Sequence, residues 1–161
     1  MHQHKYSFEF EAYDSIDELS KEDAALLREA QQATNIAYAP YSNFHVGAMA
    51  MLANGKTVAG SNQENASYPV GLCAERVLLS AASSLYPGVP IQTIAISYNG
   101  ANVNSNRPIS PCGICRQTLV EYETRFKQPI RLILAGMEGK IFIIPKASLL
   151  LPFGFSGEDM K

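Results

Sequence analysis

The succession of hydropathy patterns in this chain predicts an α/β fold, a three-layer α-β-α sandwich around a mixed five-stranded sheet. Three observations predict it. Asn54-Gly55, a strong two-residue hairpin signal, joins two strand-like runs. Further on, β-rich runs alternate with helical stretches, as β-α-β crossovers and parallel pairing require. Apolar residues make up 47% and charged residues 17% of the 161, which suits one real core and argues against wholesale disorder. The length favours one domain, residues 20–161, behind an arm at residues 1–19.

Each element has its own signal. Residues 1–19 are polar, acidic and aromatic by turns, and suit an arm or a short edge strand. Ser20 with Asp23 resembles a helix-capping box. Ala24, Leu27, Ala30 and Ala37 then recur at helical spacing until Pro40 ends the run. Strands are expected at 44–53 and 56–62, and a loop with Pro69 and Gly71 at 63–72. The spacing predicts a helix from Cys73 to Leu85, broken by Pro87-Gly88. Ile91–Tyr98 is a β-rich run with a buried strand's pattern. Residues 99–110 are rich in Asn, Gly and Ser and suit a surface loop. A helix is expected from Pro111 to Phe126, with proline near the first turn, where its missing N–H matters least. Ile130–Ala135 and Lys140–Ile144 complete the strands, and a short helix at Lys146–Leu151 follows.

Composition narrows the function. The formal net charge is −2, so polynucleotide binding through bulk charge is not expected. No apolar run reaches about 18 residues, so no membrane-spanning helix is expected. The first fifteen residues lack the basic start and apolar stretch of a signal peptide, which points to the cytoplasm. There the three cysteines stay reduced.

Those cysteines carry the chemistry. Cys73 lies in Cys73-Ala74-Glu75-Arg76, and the others in Pro111-Cys112-Gly113-Ile114-Cys115. As isolated residues they would be small buried hydrophobes. A redox pair at 112 and 115 would give no role to Cys73 or Glu75. Zinc uses all three, and catalytic zinc sites keep three protein ligands and an open fourth position. His2 and His4 lie in a polar terminus and His45 opens a strand, so an open site is favoured over a closed one. Cys112 and Cys115, three apart at a helix start, share a face. Cys73 falls at another helix start, and helix N-termini stabilise thiolates. Glu75, on that first turn, could take a proton from metal-bound water; alone it would be a glutamate favoured by the helix dipole. Arg76 could withdraw charge from the thiolates, or could be an ordinary surface arginine.

Taken together, these segments resemble the small homotetrameric cytidine deaminases. The matching stretches are Ala37-Tyr38-Ala39-Pro40-Tyr41-Ser42-Asn43-Phe44, Val46-Gly47-Ala48, Asn62-Gln63-Glu64-Asn65-Ala66-Ser67-Tyr68, Cys73-Ala74-Glu75-Arg76 and Pro111-Cys112-Gly113-Ile114-Cys115-Arg116-Gln117. Leu150-Leu151-Pro152 followed by Phe155 is a looser match. Zinc deaminases pair His-x-Glu with Pro-Cys-x-x-Cys; here Cys73 replaces the histidine, as in the three-cysteine branch. The resemblance implies a single catalytic domain over residues 20–161 and one Zn²⁺ per chain, held by Cys73, Cys112 and Cys115. It implies Glu75 as proton shuttle and Arg76 beside the ligands. Asn62 and Glu64 are implied to bind the ribose 3′-hydroxyl, Phe44 to pack on the pyrimidine, and the Ala74 N–H to contact the base carbonyl. Tyr68 and Phe155 correspond to positions that complete a neighbouring subunit's site in a homotetramer. The implied reaction is hydrolysis of cytidine, and of 2′-deoxycytidine, to the uridine counterpart and ammonia. Its partners are a small pyrimidine nucleoside, with no nucleic acid and no membrane. The rivals are a deaminase of a related nucleoside such as blasticidin S, a single-strand editing enzyme, and a non-catalytic zinc module.

Overall fold

The computed structural model describes residues 1–160. Its sheet contains β1 (Glu11–Tyr13), β2 (Phe44–Leu52), β3 (Thr57–Ser61), β4 (Ile91–Gly100), β5 (Arg131–Ala135) and β6 (Ile141–Ile144), in the order β1-β6-β5-β4-β2-β3. Only β4 and β5 run parallel; the other neighbours are antiparallel. The sheet is mixed, as expected, but has six strands rather than five. The sixth comes from the arm: Glu11 pairs with Ile143 and Tyr13 with Ile141. Contacts remote in sequence hold it there. The Phe10 ring meets Phe142 edge-on at 4.9 Å, and the Tyr6 hydroxyl donates to the Leu149 carbonyl at 3.1 Å. A short edge strand is one of the two readings of residues 1–19; three residues show too little alternation to fix its place within them.

Three helices cover the sheet: α1 (Lys21–Ala33), α2 (Ala74–Leu85) and α3 (Gly113–Phe126). Strand alternation separates two cores. Leu26, Leu27 and Ala30 of α1 pack on Ala95, Ile133, Ile141 and Ile143. On the opposite face, Leu78, Leu79 and Leu119 of α2 and α3 pack on Ile94, Ile96, Leu132 and Leu134. The three-layer expectation therefore holds.

Local chemistry sets the helix ends. The Ser20 hydroxyl accepts the Asp23 N–H at 3.1 Å, as a capping box requires. The Asp23 carboxylate does not complete the box; it takes two bonds from the Arg131 guanidinium, at 2.6 and 2.8 Å. Helix α1 ends at Ala33, and a 3₁₀ turn covers Thr34–Ile36 before Pro40. Cys73 and Cys112 are N-caps, so Pro111 stands just outside α3 rather than in its first turn. The expected final helix is a 3₁₀ turn, Ala147–Leu150. β4 extends to Gly100 because β2 keeps pairing with it, Phe44 opposite Gly100.

Gly60 brings α2 onto the sheet. A Cβ there would strike the Ala74 carbonyl and come within 2.6 Å of the Leu78 nitrogen. With glycine, backbone meets backbone, and the start of α2 lies directly over β3. Among the described residues, no helix is long and apolar enough to cross a membrane.

Candidate active site

Three backbone features bring the site together. The first is the pair of helix starts: Cys73 caps α2, Cys112 caps α3, and Cys115 sits in α3's first turn. The second is the extended segment Asn62–Glu64. Gln63 exchanges two backbone hydrogen bonds with Leu72, each 2.9 Å, immediately before Cys73. On its other side, Tyr38 N–H donates to the Asn62 carbonyl at 3.0 Å and Glu64 N–H to the Tyr38 carbonyl at 2.8 Å. The third is the turn into β2, where Asn43 takes a left-handed conformation with φ of 53°, one that asparagine tolerates better than most residues.

The three sulfurs lie within 4.8 Å of one another, with Cys73 to Cys112 at 3.7 Å and Cys112 to Cys115 at 3.5 Å. Tetrahedral zinc with Zn–S near 2.3 Å holds its sulfurs about 3.8 Å apart. The donor set therefore fits zinc in type and spacing. The cluster contains three cysteines and no histidine, which leaves a fourth position for a non-protein ligand. The Cys73 thiol is lowered to about 6, chiefly by its hydrogen bond with Cys115, with Arg76's charge helping. Cys115 shifts the opposite way, chiefly through that same bond and then through burial. Metal binding at such a cluster releases protons as thiolates form.

A cavity of about 350 Å³ opens onto the cluster. Cys73, Ala74, Glu75 and Cys112 form one end; Phe44, Asn62, Glu64 and Tyr68 line the rest. Glu75 is 5% exposed, and burial pushes its carboxyl up from the usual value. A buried acid with a raised pKa, beside a three-sulfur cluster and a cavity, suits proton transfer.

Asn62 and Glu64 also serve a purpose that their spacing did not reveal. The Asn62 amide accepts the Val46 N–H at 2.7 Å and donates to the Phe44 carbonyl at 2.8 Å. The Glu64 carboxylate accepts the Tyr41 N–H at 2.8 Å and the Ser42 N–H at 3.3 Å, and also the Ser42 hydroxyl. The Ser42 hydroxyl bond holds its pKa down. The pair therefore fixes the turn that presents Phe44. An amide nitrogen has a second proton and carboxylate oxygens have spare lone pairs, so both keep capacity for a ligand hydroxyl.

Phe155 lies apart from this cavity and is 57% exposed; its carbonyl accepts the Gln117 side-chain amide at 2.7 Å. Tyr68, 78% exposed, stands at the cavity rim. Val46, Leu72, Ile109 and Ser110 line the cavity too, although the sequence did not single them out. Leu72 and Ser110 lie close before the two cysteine motifs, and that adjacency was the available signal. Arg116 ties the second motif down, donating to the Pro111 carbonyl at 2.7 Å and to the Leu150 carbonyl at 3.1 Å.

Comparison with known proteins agrees with this arrangement. Residues 20–127 match the family described as cytidine and deoxycytidylate deaminase zinc-binding region. A cytidine deaminase from Halalkalibacterium halodurans is 38% identical over 136 residues, covering 84% of this chain and 96% of that one. The crystal structure of a Burkholderia pseudomallei cytidine deaminase is similar with a TM-score of 0.72 at 37% identity, covering 85% of this chain and all of that one. A Mycobacterium tuberculosis cytidine deaminase structure has a TM-score of 0.63 at 32% identity, covering 81% of this chain and 94% of that one.

Proposed function

This chain belongs to the zinc-binding cytidine and deoxycytidylate deaminase family, and we propose that its reaction is hydrolysis of cytidine and 2′-deoxycytidine to the uridine counterpart and ammonia. The observation that carries this reading is the buried Glu75 carboxyl between a three-sulfur cluster and a nucleoside-sized cavity.

Cys73, Cys112 and Cys115 hold one zinc ion per chain. When bound, that ion supplies a Lewis acid able to bring a water's pKa toward about 7. Glu75 takes a proton from the attacking water and delivers it to ring N3, which makes C4 more electrophilic. A C4–O bond forms; Glu75 then takes the proton of the new C4 hydroxyl and passes it to the amine, so that the C4–N bond breaks, ammonia leaves and the C4 carbonyl of the uridine product forms. Burial raises the carboxyl's affinity for protons, which favours its accepting one during the reaction. Arg76 places positive charge beside the Cys73 sulfur. Ala74 N–H, at the helix start, binds the base carbonyl, and Phe44 packs on the ring. Asn62 and Glu64 receive the ribose 3′-hydroxyl, which selects a nucleoside over a free base.

Tyr68 and Phe155 complete a neighbouring subunit's site in a homotetramer. Tyr68 stands beside Tyr41, also exposed, with ring centroids 6.4 Å apart, and clustered exposed aromatics suit a contact surface better than single ones. The cytoplasm, which keeps thiols reduced, suits the site.

The test is the ultraviolet absorbance of cytidine incubated with zinc-loaded protein, with Glu75→Gln as control. The wild-type protein should yield uridine, while the control keeps its zinc and loses at least about 1,000-fold in turnover, within the range for general acid–base groups. A zinc-loaded wild type that spares cytidine but deaminates blasticidin S would replace the substrate assignment.

A further inference from the structure

We propose that Tyr98 is a positioning residue that ties together two parts of the cavity lining, Phe44 and the loop that carries Ile109 and Ser110. The inference extends the deaminase reading and rests on it for the identity of the substrate.

Tyr98 is 1% exposed, in β4, on the sheet face that α2 and α3 cover. Its ring lies nearly parallel to that of Phe44, with centroids 5.3 Å apart and planes 25° from parallel. That contact backs Phe44, which forms one wall of the cavity. The Tyr98 hydroxyl points the other way and donates to the Asn104 carbonyl at 3.2 Å. Asn104 belongs to the long loop that leaves β4, contributes Ile109 and Ser110 to the cavity lining, and then delivers Cys112.

Neighbouring bonds show that this loop is anchored here. The Ser105 hydroxyl donates to the Tyr98 carbonyl, and the Met137 N–H donates to the Ser105 carbonyl at 2.8 Å and to its hydroxyl at 2.9 Å. Gly136 permits the approach, since a Cβ there would collide with the Ser105 carbonyl. The loop's first half is thus anchored, and Tyr98, near the end of β4, contacts both this loop and the Phe44 ring. A nucleoside held against both parts of the lining depends on their spacing. Loss of the hydroxyl should loosen the Ile109–Ser110 wall and leave the Phe44 wall in place. Loss of the ring should loosen both.

Tyr98→Phe and Tyr98→Leu, each zinc-loaded, separate the two contacts. Tyr98→Phe should raise KM for cytidine about fivefold, the weight of one ordinary hydrogen bond, with kcat within about twofold. Hydrogen exchange should quicken in residues 101–110 and stay unchanged in 44–46. Tyr98→Leu should quicken both segments, with a larger rise in KM that Phe partly rescues. Unchanged KM and unchanged exchange in Tyr98→Phe would overturn the proposal, as would equal falls in kcat and stability with no change in KM. If the wild type does not act on cytidine, the functional reading fails separately, and the exchange pattern decides this proposal alone. Tyr98→Phe keeps the buried ring, so the test survives if Tyr98→Leu does not fold.

Discussion

Helix α1 begins on Ser20, whose hydroxyl accepts a first-turn N–H; α2 and α3 begin on Cys73 and Cys112, which accept none. A serine N-cap stabilises a helix by about 1 kcal/mol over a residue that cannot accept. The two site helices forgo that. Their first-turn N–H groups keep partial positive charge directed at the sulfurs, where thiolates need it. Packing holds them instead: Gly60 lets α2 sit on the sheet, and the Glu123 carboxylate of α3 accepts the N–H groups of Ile130, Ala147 and Ser148. The first-turn acids diverge in the same way. Asp23 is lowered, chiefly by Arg131, while Glu75 is raised by burial. Both stand at a helix N-terminus, so partner and burial outweigh the dipole common to them. Stability is invested at α1 and reactivity at α2 and α3.

The sharpest way to break this comparison is to give a site helix the cap it lacks. Cys73→Ser and Cys112→Ser should each abolish zinc retention and reduce turnover by about 1,000-fold or more, since one of three ligands is gone. The metal-stripped variants should nevertheless be more stable than the metal-stripped wild type, by roughly 0.5–1 kcal/mol, because serine accepts the N–H that cysteine leaves. Metal analysis and urea unfolding in chelator measure both effects. Variants less stable than the stripped wild type would show that the cysteines already act as adequate caps.

That test concerns residues the sequence exposed well, and the reason is local. Cys73 and Glu75 lie two residues apart and Cys112 and Cys115 three, each pair in a short motif at a helix start that sets its geometry. Expectations that needed only the near neighbours also held for the Asn54-Gly55 hairpin and the Ser20 cap. What stayed hidden depends on distant partners. A short edge strand is one reading of residues 1–19, but its place at Glu11–Tyr13 is set by β6, some 130 residues away, which supplies its ladder. Asn62 suggested a ligand residue, yet its amide also holds β2 backbone 16 and 18 residues earlier. Asp23 suited a capping box until Arg131, 108 residues on, claimed its carboxylate. Spacing reveals a residue's chemistry; the fold decides which partner uses it.

A smaller effect tests the other side of the comparison. Ser20→Ala should lower stability by about 1 kcal/mol, read as a shift in the urea midpoint without a change in slope. Ser20→Cys should cost nearly as much, since it makes α1 begin as α2 and α3 do. Neither should alter turnover, because α1 covers the sheet face opposite the cluster. A Ser20→Cys protein as stable as the wild type would remove the energetic distinction between the helix starts.

The smallest effect is the pH dependence of Asp23. Its carboxyl is held below its usual 3.8, chiefly by hydrogen bonds from Arg131 and against an opposing push from burial. The folded state therefore binds this proton more weakly than the unfolded chain. The sign follows: the contribution is complete well above pH 3.8 and disappears as pH falls through the lowered folded value. At pH 7 Asp23→Asn should be less stable by roughly 1 kcal/mol, since the pair is partly solvated and screened. Below about pH 4 the two stability curves should converge, as the wild type acquires the proton that the amide imitates. Parallel curves down to pH 2 would mean that the charge on Asp23 is irrelevant, and that α1's advantage rests on the Ser20 hydroxyl alone.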